Sequence, residues 1–118
     1  MKVLVIGGTL YIGRLLVEEL VKAGHDIAIL HRKPKHDFGR RVENLMADRN
    51  DPDSLKEILS GRRFEVVYDN AYDWERGTTA AQVEATVHAC GGNRRYDRRH
   101  RGCVEDGGAY YICEFVIG

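Results

Sequence analysis

Three features of the sequence predict a three-layer α/β fold on a parallel sheet of four or five strands. Short apolar runs alternate with segments of helical periodicity. The apolar runs are continuous rather than alternating, as in strands covered on both faces. Glycine, or a residue suited to start a helix, stands at most of the junctions. The chain of 118 residues is long enough to bury one real core and suits a single domain better than two.

The elements follow in order. Residues 3–6 are a β-branched and leucine run that predicts a central strand. Apolar residues at 12, 15, 16, 20 and 23 then form a helical stripe. Glu18, Glu19 and Lys22 fall elsewhere on the wheel, and Gly24 stands where a helix-ending glycine belongs. Residues 26–30 are a second apolar strand, which completes a βαβ unit whose crossover should be right-handed. Residues 31–41 are polar and basic and are broken by Pro34 and Gly39, so they predict a loop before a short third strand at 42–47. Asp51 followed by Pro52 predicts an N-cap and a first helical position, for a helix through Leu55, Ile58 and Leu59 that stops at Gly61.

A fourth strand is expected at 64–68, with Asp69 and Asn70 at its polar end. Thr79 and Gln82 have capping-box spacing, and apolar positions 83, 87 and 90 carry that helix to Gly91-Gly92. The text then changes. Residues 93–101 hold five arginines, no lysine follows Lys56, and residues 109–117 are a last apolar run that predicts a final strand. The expected division is a domain at 1–90 and a divergent tail at 91–118. The tail reads either as native to its lineage or as the product of truncation or a disrupted frame.

Lysine plus arginine equals aspartate plus glutamate, so no global charge points to nucleic acid or an anionic membrane. The early apolar run is too short to span a bilayer or to serve as a signal core. The three cysteines, an odd number without CxxC spacing, read as thiols of a reducing compartment. The expectation is a cytoplasmic protein without a metal site.

The chemistry is concentrated in the turn Gly7-Gly8-Thr9-Leu10-Tyr11-Ile12-Gly13, between the first strand and the first helix. Gly7 lets the chain leave the strand sharply, Gly8 lets backbone approach a pyrophosphate, and Gly13 allows close packing of helix on strand. A helix N-terminus behind such a turn favours a phosphate. Thr9 has a hydroxyl for a phosphate oxygen or for the helix cap. With Ala47-Asp48-Arg49-Asn50-Asp51 and Phe64-Glu65-Val66-Val67-Tyr68-Asp69-Asn70, this turn resembles the extended and atypical short-chain dehydrogenase/reductases, grouped broadly as NAD-dependent epimerase/dehydratase proteins. The resemblance covers roughly residues 1–90 and implies a Rossmann-like domain. The usual middle glycine is replaced by Leu10, a pattern of the atypical branch. Residues Gly7, Gly8, Thr9, Leu10, Tyr11, Ile12 and Gly13 are the expected cofactor-binding turn.

An NAD site usually has an acid at the end of the second strand, for the ribose hydroxyls. Here that place holds His31-Arg32-Lys33. A guanidinium suits the 2′-phosphate of NADP, so Arg32 predicts NADP over NAD, with Lys33 in support; the alternative is a solvated basic loop. The resemblance implies that Asp48 accepts from the adenine amino group and that Arg49 lines its pocket. Asp48 could equally start the turn before Asp51. Asn70 and Ala71 follow the fourth strand and belong near the cofactor's ribose or pyrophosphate, because ligands of such sheets lie beyond the carboxyl ends of the strands. Tyr72, Asp73 and Trp74 border the substrate side or, for Trp74, plug a helix entry.

The reductases of this type use a Tyr-x-x-x-Lys pair, in which lysine lowers the tyrosine pKa. No such pair occurs here. Tyr72 leads to Arg76, Tyr96 to His100, Tyr110 to Glu114 and Tyr111 to Phe115. The catalytic residues are therefore unknown. The expected function is the NAD(P)-binding portion of an epimerase/dehydratase-like oxidoreductase. The alternative is a non-catalytic nucleotide- or RNA-binding protein, since the atypical branch includes chloroplast stem-loop-binding relatives. Expected partners are the dinucleotide and either a second copy or a missing C-terminal half.

Overall fold

The chain runs β1 (Lys2–Ile6), α1 (Tyr11–Lys22), β2 (Asp26–His31), β3 (Val42–Met46), α2 (Pro52–Leu59), β4 (Val66–Asp69), α3 (Ala80–Gly91), β5 (Gly102–Glu105) and β6 (Gly108–Ile112). The structure is a computed structural model and describes residues 1–7, 11–71, 73, 75–91, 102–105 and 108–112; for 11, 12, 91 and the last two strands it describes the backbone alone. The strands form one sheet in the order β3-β2-β1-β4-β6-β5. Five of them are parallel neighbours, and β5 is an antiparallel edge strand hairpinned onto β6. The parallel sheet is the one the sequence predicts; the antiparallel edge strand is additional. β6 begins one residue before the expected final strand, and residues 113–117 of that expectation lie outside the described residues.

Alternation along the strands divides the core into two layers of side chains. Leu4, Ile6, Ala28, Leu30, Leu45 and Val67 face α2 and α3, where they meet Leu55, Leu59, Val87 and Cys90. Val3, Val5, Ile27, Ile29 and Val42 face the other way and pack against Val17 of α1. Helices therefore cover both faces, which is why the strands read as continuous apolar runs.

Local signals end the helices where the sequence places their ends. At the end of α1, Gly24 has φ +83°. Its N–H donates to the Val21 carbonyl at 3.0 Å, and the His25 N–H donates to Leu20 at 3.3 Å. This is the paired-bond ending that glycine permits. Asp51 caps α2 by accepting from the N–H groups of Asp53 and Ser54, and Gly61 follows with φ +73°. The capping box of α3 is formed: Thr79 N–H donates to Gln82 Oε1 at 2.7 Å, and Gln82 N–H to Thr79 Oγ1 at 3.2 Å.

Two readings of the sequence are corrected. The stripe of α1 includes Leu15, yet Leu15 is exposed; the inward face is centred on Gly13 and Val17, with Leu16, Leu20 and Val21 beside them. The stripe keeps Leu16 and Leu20 and loses Leu15, because a leucine pair offers two choices of face. The fourth strand begins at Val66 rather than at 64, because its pairing with β1 starts at Val3↔Val66, and it extends to include Asp69.

Candidate functional site

The carboxyl ends of β1 and β4 lie side by side. The sheet order reverses direction between these two strands, and this is where an open parallel sheet leaves a crevice. The Gly7 N–H donates to the Leu30 carbonyl at 2.9 Å and the Asn70 N–H donates to the Ile6 carbonyl at 2.9 Å, so the ladder holds both strand ends in register. Gly7 has φ +79°. A Cβ built on it would stand 3.0 Å from the Asn70 carbonyl oxygen and 3.1 Å from Ala71 Cα and Cβ. Neither the backbone nor the space admits a side chain there. Asn70 adds a second signal: its Oδ1 is buried and has no hydrogen-bond partner among the described residues. An amide oxygen in that state is suited to a donor supplied by a ligand.

Of the other residues of the turn, Gly8, Thr9 and Leu10 lie outside the described residues. Tyr11 and Ile12 open α1, and Gly13 is buried in its first turn.

Below the crevice the structure places a buried ion pair. Arg49 is 7% exposed and Asp69 2%. The Arg49 guanidinium donates to both carboxylate oxygens of Asp69, one of them at 2.7 Å, and also to the Ala71 carbonyl at 2.8 Å and Thr86 Oγ1 at 2.9 Å. Asp69 accepts in addition from the Ala71 N–H at 3.3 Å. One arginine thus ties the loop after β3 to the end of β4 and to α3. Its side chain is turned into the protein against Asp69, and it reaches the crevice through the Ala71 carbonyl.

A second, more exposed cluster joins the loops after β2, β3 and β4. Arg76 donates from Nη2 to Asp48 at 2.8 Å and from Nε to Asp73 Oδ2 at 2.6 Å. Asp73 Oδ1 accepts from the N–H groups of Glu75 and Arg76 at 3.0 and 2.9 Å. Arg32, largely exposed, stands with Nη1 3.9 Å from Asp73 Oδ2. Asn50 and Thr78 complete the network: the Asp73 N–H donates to Thr78 Oγ1 at 3.0 Å, Thr78 Oγ1 donates to Asn50 Oδ1 at 3.1 Å, and Asn50 Nδ2 donates to the Gly77 carbonyl at 2.9 Å. The Arg76 backbone N–H, followed by its guanidinium, pulls the Asp73 carboxyl down to about 2. The Arg76 side chain likewise lowers Asp48, and the two carboxylates raise Arg76 in return. All three stay ionised at neutral pH.

The structure therefore brings Gly7, Asn70 and Ala71 together at one crevice. Arg32 and Asp48 stand in the adjoining polar cluster, and Arg49 braces the crevice wall from beneath through Asp69 and the Ala71 carbonyl. Asp73 and Arg76 were not singled out as partners of these residues. The signal for them was the Asp-x-x-Arg spacing ahead of a capping box, which forms an Asx turn with an (i, i+3) ion pair. At the end of β2, His31 is buried with its Nε2 against Asn44 Oδ1, and so contributes to the loop's footing.

A doubly covered parallel sheet with a glycine turn at its switch point is a dinucleotide-binding type of fold. Residues 3–94 match the NAD dependent epimerase/dehydratase family, and the chain belongs to that family. It is 33% identical over 102 positions to the chloroplast stem-loop binding protein of 41 kDa b of Arabidopsis thaliana, an alignment covering 75% of this chain and 26% of that one. Among solved structures it is similar to the UDP-glucose 4-epimerase of Thermus thermophilus, solved in complex with NAD, at 26% identity and a TM-score of 0.52, covering 62% of this chain and 24% of that one. A Rossmann-fold NAD(P)-binding family protein from Shigella flexneri shares the fold at 21% identity and a TM-score of 0.57, covering 75% and 44%. The chain thus spans about a quarter of the length of the Arabidopsis relative.

Proposed function

We propose that this chain binds an NAD(P) dinucleotide in the crevice between the ends of β1 and β4. The observation that carries the reading is the close approach of the Gly7 turn to Asn70 and Ala71, where no side chain fits and a buried amide oxygen has no partner among the described residues. The turn at 7–13 would hold the pyrophosphate, with Gly8, Thr9 and Leu10 supplying its middle. Asn70 and Ala71 would face the adjoining ribose. Arg32 and Asp48 would meet the adenosine end, where a guanidinium without a competing acid on the same strand favours NADP. The nicotinamide ring would supply hydride transfer. This chain's own residues bind and orient the cofactor, and no Tyr-x-x-x-Lys pair stands ready to move the substrate proton. We read the protein as cytoplasmic; no helix among the described residues is long and apolar enough to cross a membrane.

Calorimetric titration of the purified chain with NADPH and NADH tests this reading. Binding of both, with NADPH tighter and the difference reduced in Arg32→Ala, is the expected result. Tighter binding of NADH would overturn the Arg32 assignment, and binding of neither would overturn the cofactor reading itself.

A second reading is favoured by the Arabidopsis relative, whose name describes stem-loop binding. On that reading the chain is a non-catalytic RNA-binding protein. Its affinity for a stem-loop RNA would fall steeply with salt, because arginine contacts to phosphates release counterions. It would also survive Gly8→Trp, which should abolish dinucleotide binding.

A further inference from the structure

We propose that Asp73 is a specificity-determining residue that weakens the preference for a 2′-phosphorylated dinucleotide by holding Arg32 in an ion pair across the crevice. The inference rests on the cofactor reading above.

The acid that is missing from the end of β2 has a counterpart on another loop. Asp73 follows β4, and its Oδ2 lies 3.9 Å from Arg32 Nη1. Because β1 lies between β2 and β4 in the sheet, this pair joins loops on either side of the strand that carries the glycine turn. The two partners differ in how firmly they are held. The side chain of Asp73 is 8% exposed and fixed by the Glu75 and Arg76 N–H groups and by Arg76 Nε at 2.6 Å. The side chain of Arg32 is 66% exposed, and this 3.9 Å pair is its only ion pair among the described residues. Arg32 can therefore swing toward a ligand, whereas Asp73 keeps its place.

Charge in the cluster closes to zero, with Arg32 and Arg76 positive and Asp48 and Asp73 negative. A 2′-phosphate arriving at Arg32 meets a guanidinium that already has a partner, beside a fixed carboxylate of its own sign. A 2′-hydroxyl meets no such opposition and can donate to a carboxylate. Asp73 is held well below neutrality by Arg76, so its charge, and the competition it makes, persists at neutral pH.

The test is Asp73→Asn. Asparagine keeps the Oδ1 acceptor that the two backbone N–H groups use and puts an uncharged amide NH2 in place of the oxygen that faces Arg32 and Arg76 Nε. NADPH should bind about threefold to fivefold more tightly to the variant, the upper part of the range of an exposed ion pair, while NADH affinity stays within error or falls. The gain should disappear when Asp73→Asn is placed in an Arg32→Ala background, which a merely structural role of Asp73 would not do. Circular dichroism of each variant establishes that the fold is retained, and Asp73→Ser provides the same charge removal if the asparagine variant fails to fold. Equal changes for NADPH and NADH, or a gain that persists without Arg32, would overturn the proposal and leave the cofactor reading standing. Binding of neither dinucleotide by wild type and variants alike would overturn both.

Discussion

The two charged assemblies of this protein use the same chemistry for different ends. Arg49 and Asp69 form a dry bidentate pair beneath the crevice, and the guanidinium also donates to Ala71 and Thr86. Arg76, Asp48, Asp73 and Arg32 form a wetter network at its rim. A buried pair cannot exchange partners cheaply, because each ion that leaves is stranded in a low dielectric. A rim pair is screened and exchanges readily with water or a ligand. The first arrangement fixes the wall formed by Asn70 and Ala71, and the second is free to respond to what binds.

Breaking the dry pair gives the largest expected effect. Arg49→Ala should cost about 3–5 kcal/mol by taking the bidentate guanidinium away from the buried Asp69 carboxylate, read as a drop in the urea midpoint. The paired change Arg49→Met with Asp69→Leu should recover much of that loss. A nearly neutral single variant would show that the pair does not brace the crevice wall. Next comes Gly7→Ala, which asks whether the wall set by the brace matters to the turn. Both the positive φ and the approach to Asn70 oppose it, and a loss of about 1–3 kcal/mol is expected, together with weakened NADPH binding. Arg76→Ala should lower the urea midpoint far less than Arg49→Ala does, yet weaken NADPH more than NADH by releasing two carboxylates toward Arg32. A large midpoint shift there would erase the distinction between the two assemblies.

The smallest effect concerns acid. The Asp73 carboxyl is held at about 2 in the folded protein, against 3.8 for the ordinary group. Its contribution to stability is full above pH 3.8 and is lost as pH falls through about 2. Asp48, also lowered, acts in the same direction. Urea midpoints measured across that window should fall less steeply in Asp73→Asn than in the wild type; parallel slopes would show that the rim cluster contributes nothing to folding.

Much of the fold was legible in the sequence. Asp51-Pro52, Thr79 with Gln82, and Gly24 and Gly61 act over a few residues, so their spacing alone identifies the helix ends they form. The continuous apolar runs of β1 and β2 report a sheet covered on both faces. Leu15 shows where such reading fails: two adjacent leucines fit either of two helix faces, and only the sheet beneath α1 selects one.

The candidate site divides the same way. The sequence by itself determined the alternation of strands and helices and the glycine turn of the family's dinucleotide fold. It also placed Arg32 and Asp48 at strand ends and established the absence of a Tyr-x-x-x-Lys pair. Only the tertiary structure decided which charges meet. Arg49 finds Asp69 across 20 residues of chain and Asp48 finds Arg76 across 28, separations that no local pattern encodes. The physical reason is that a parallel sheet gathers the ends of strands distant in sequence at one edge. Burial of that edge then turns one arginine into a brace and leaves another at the rim.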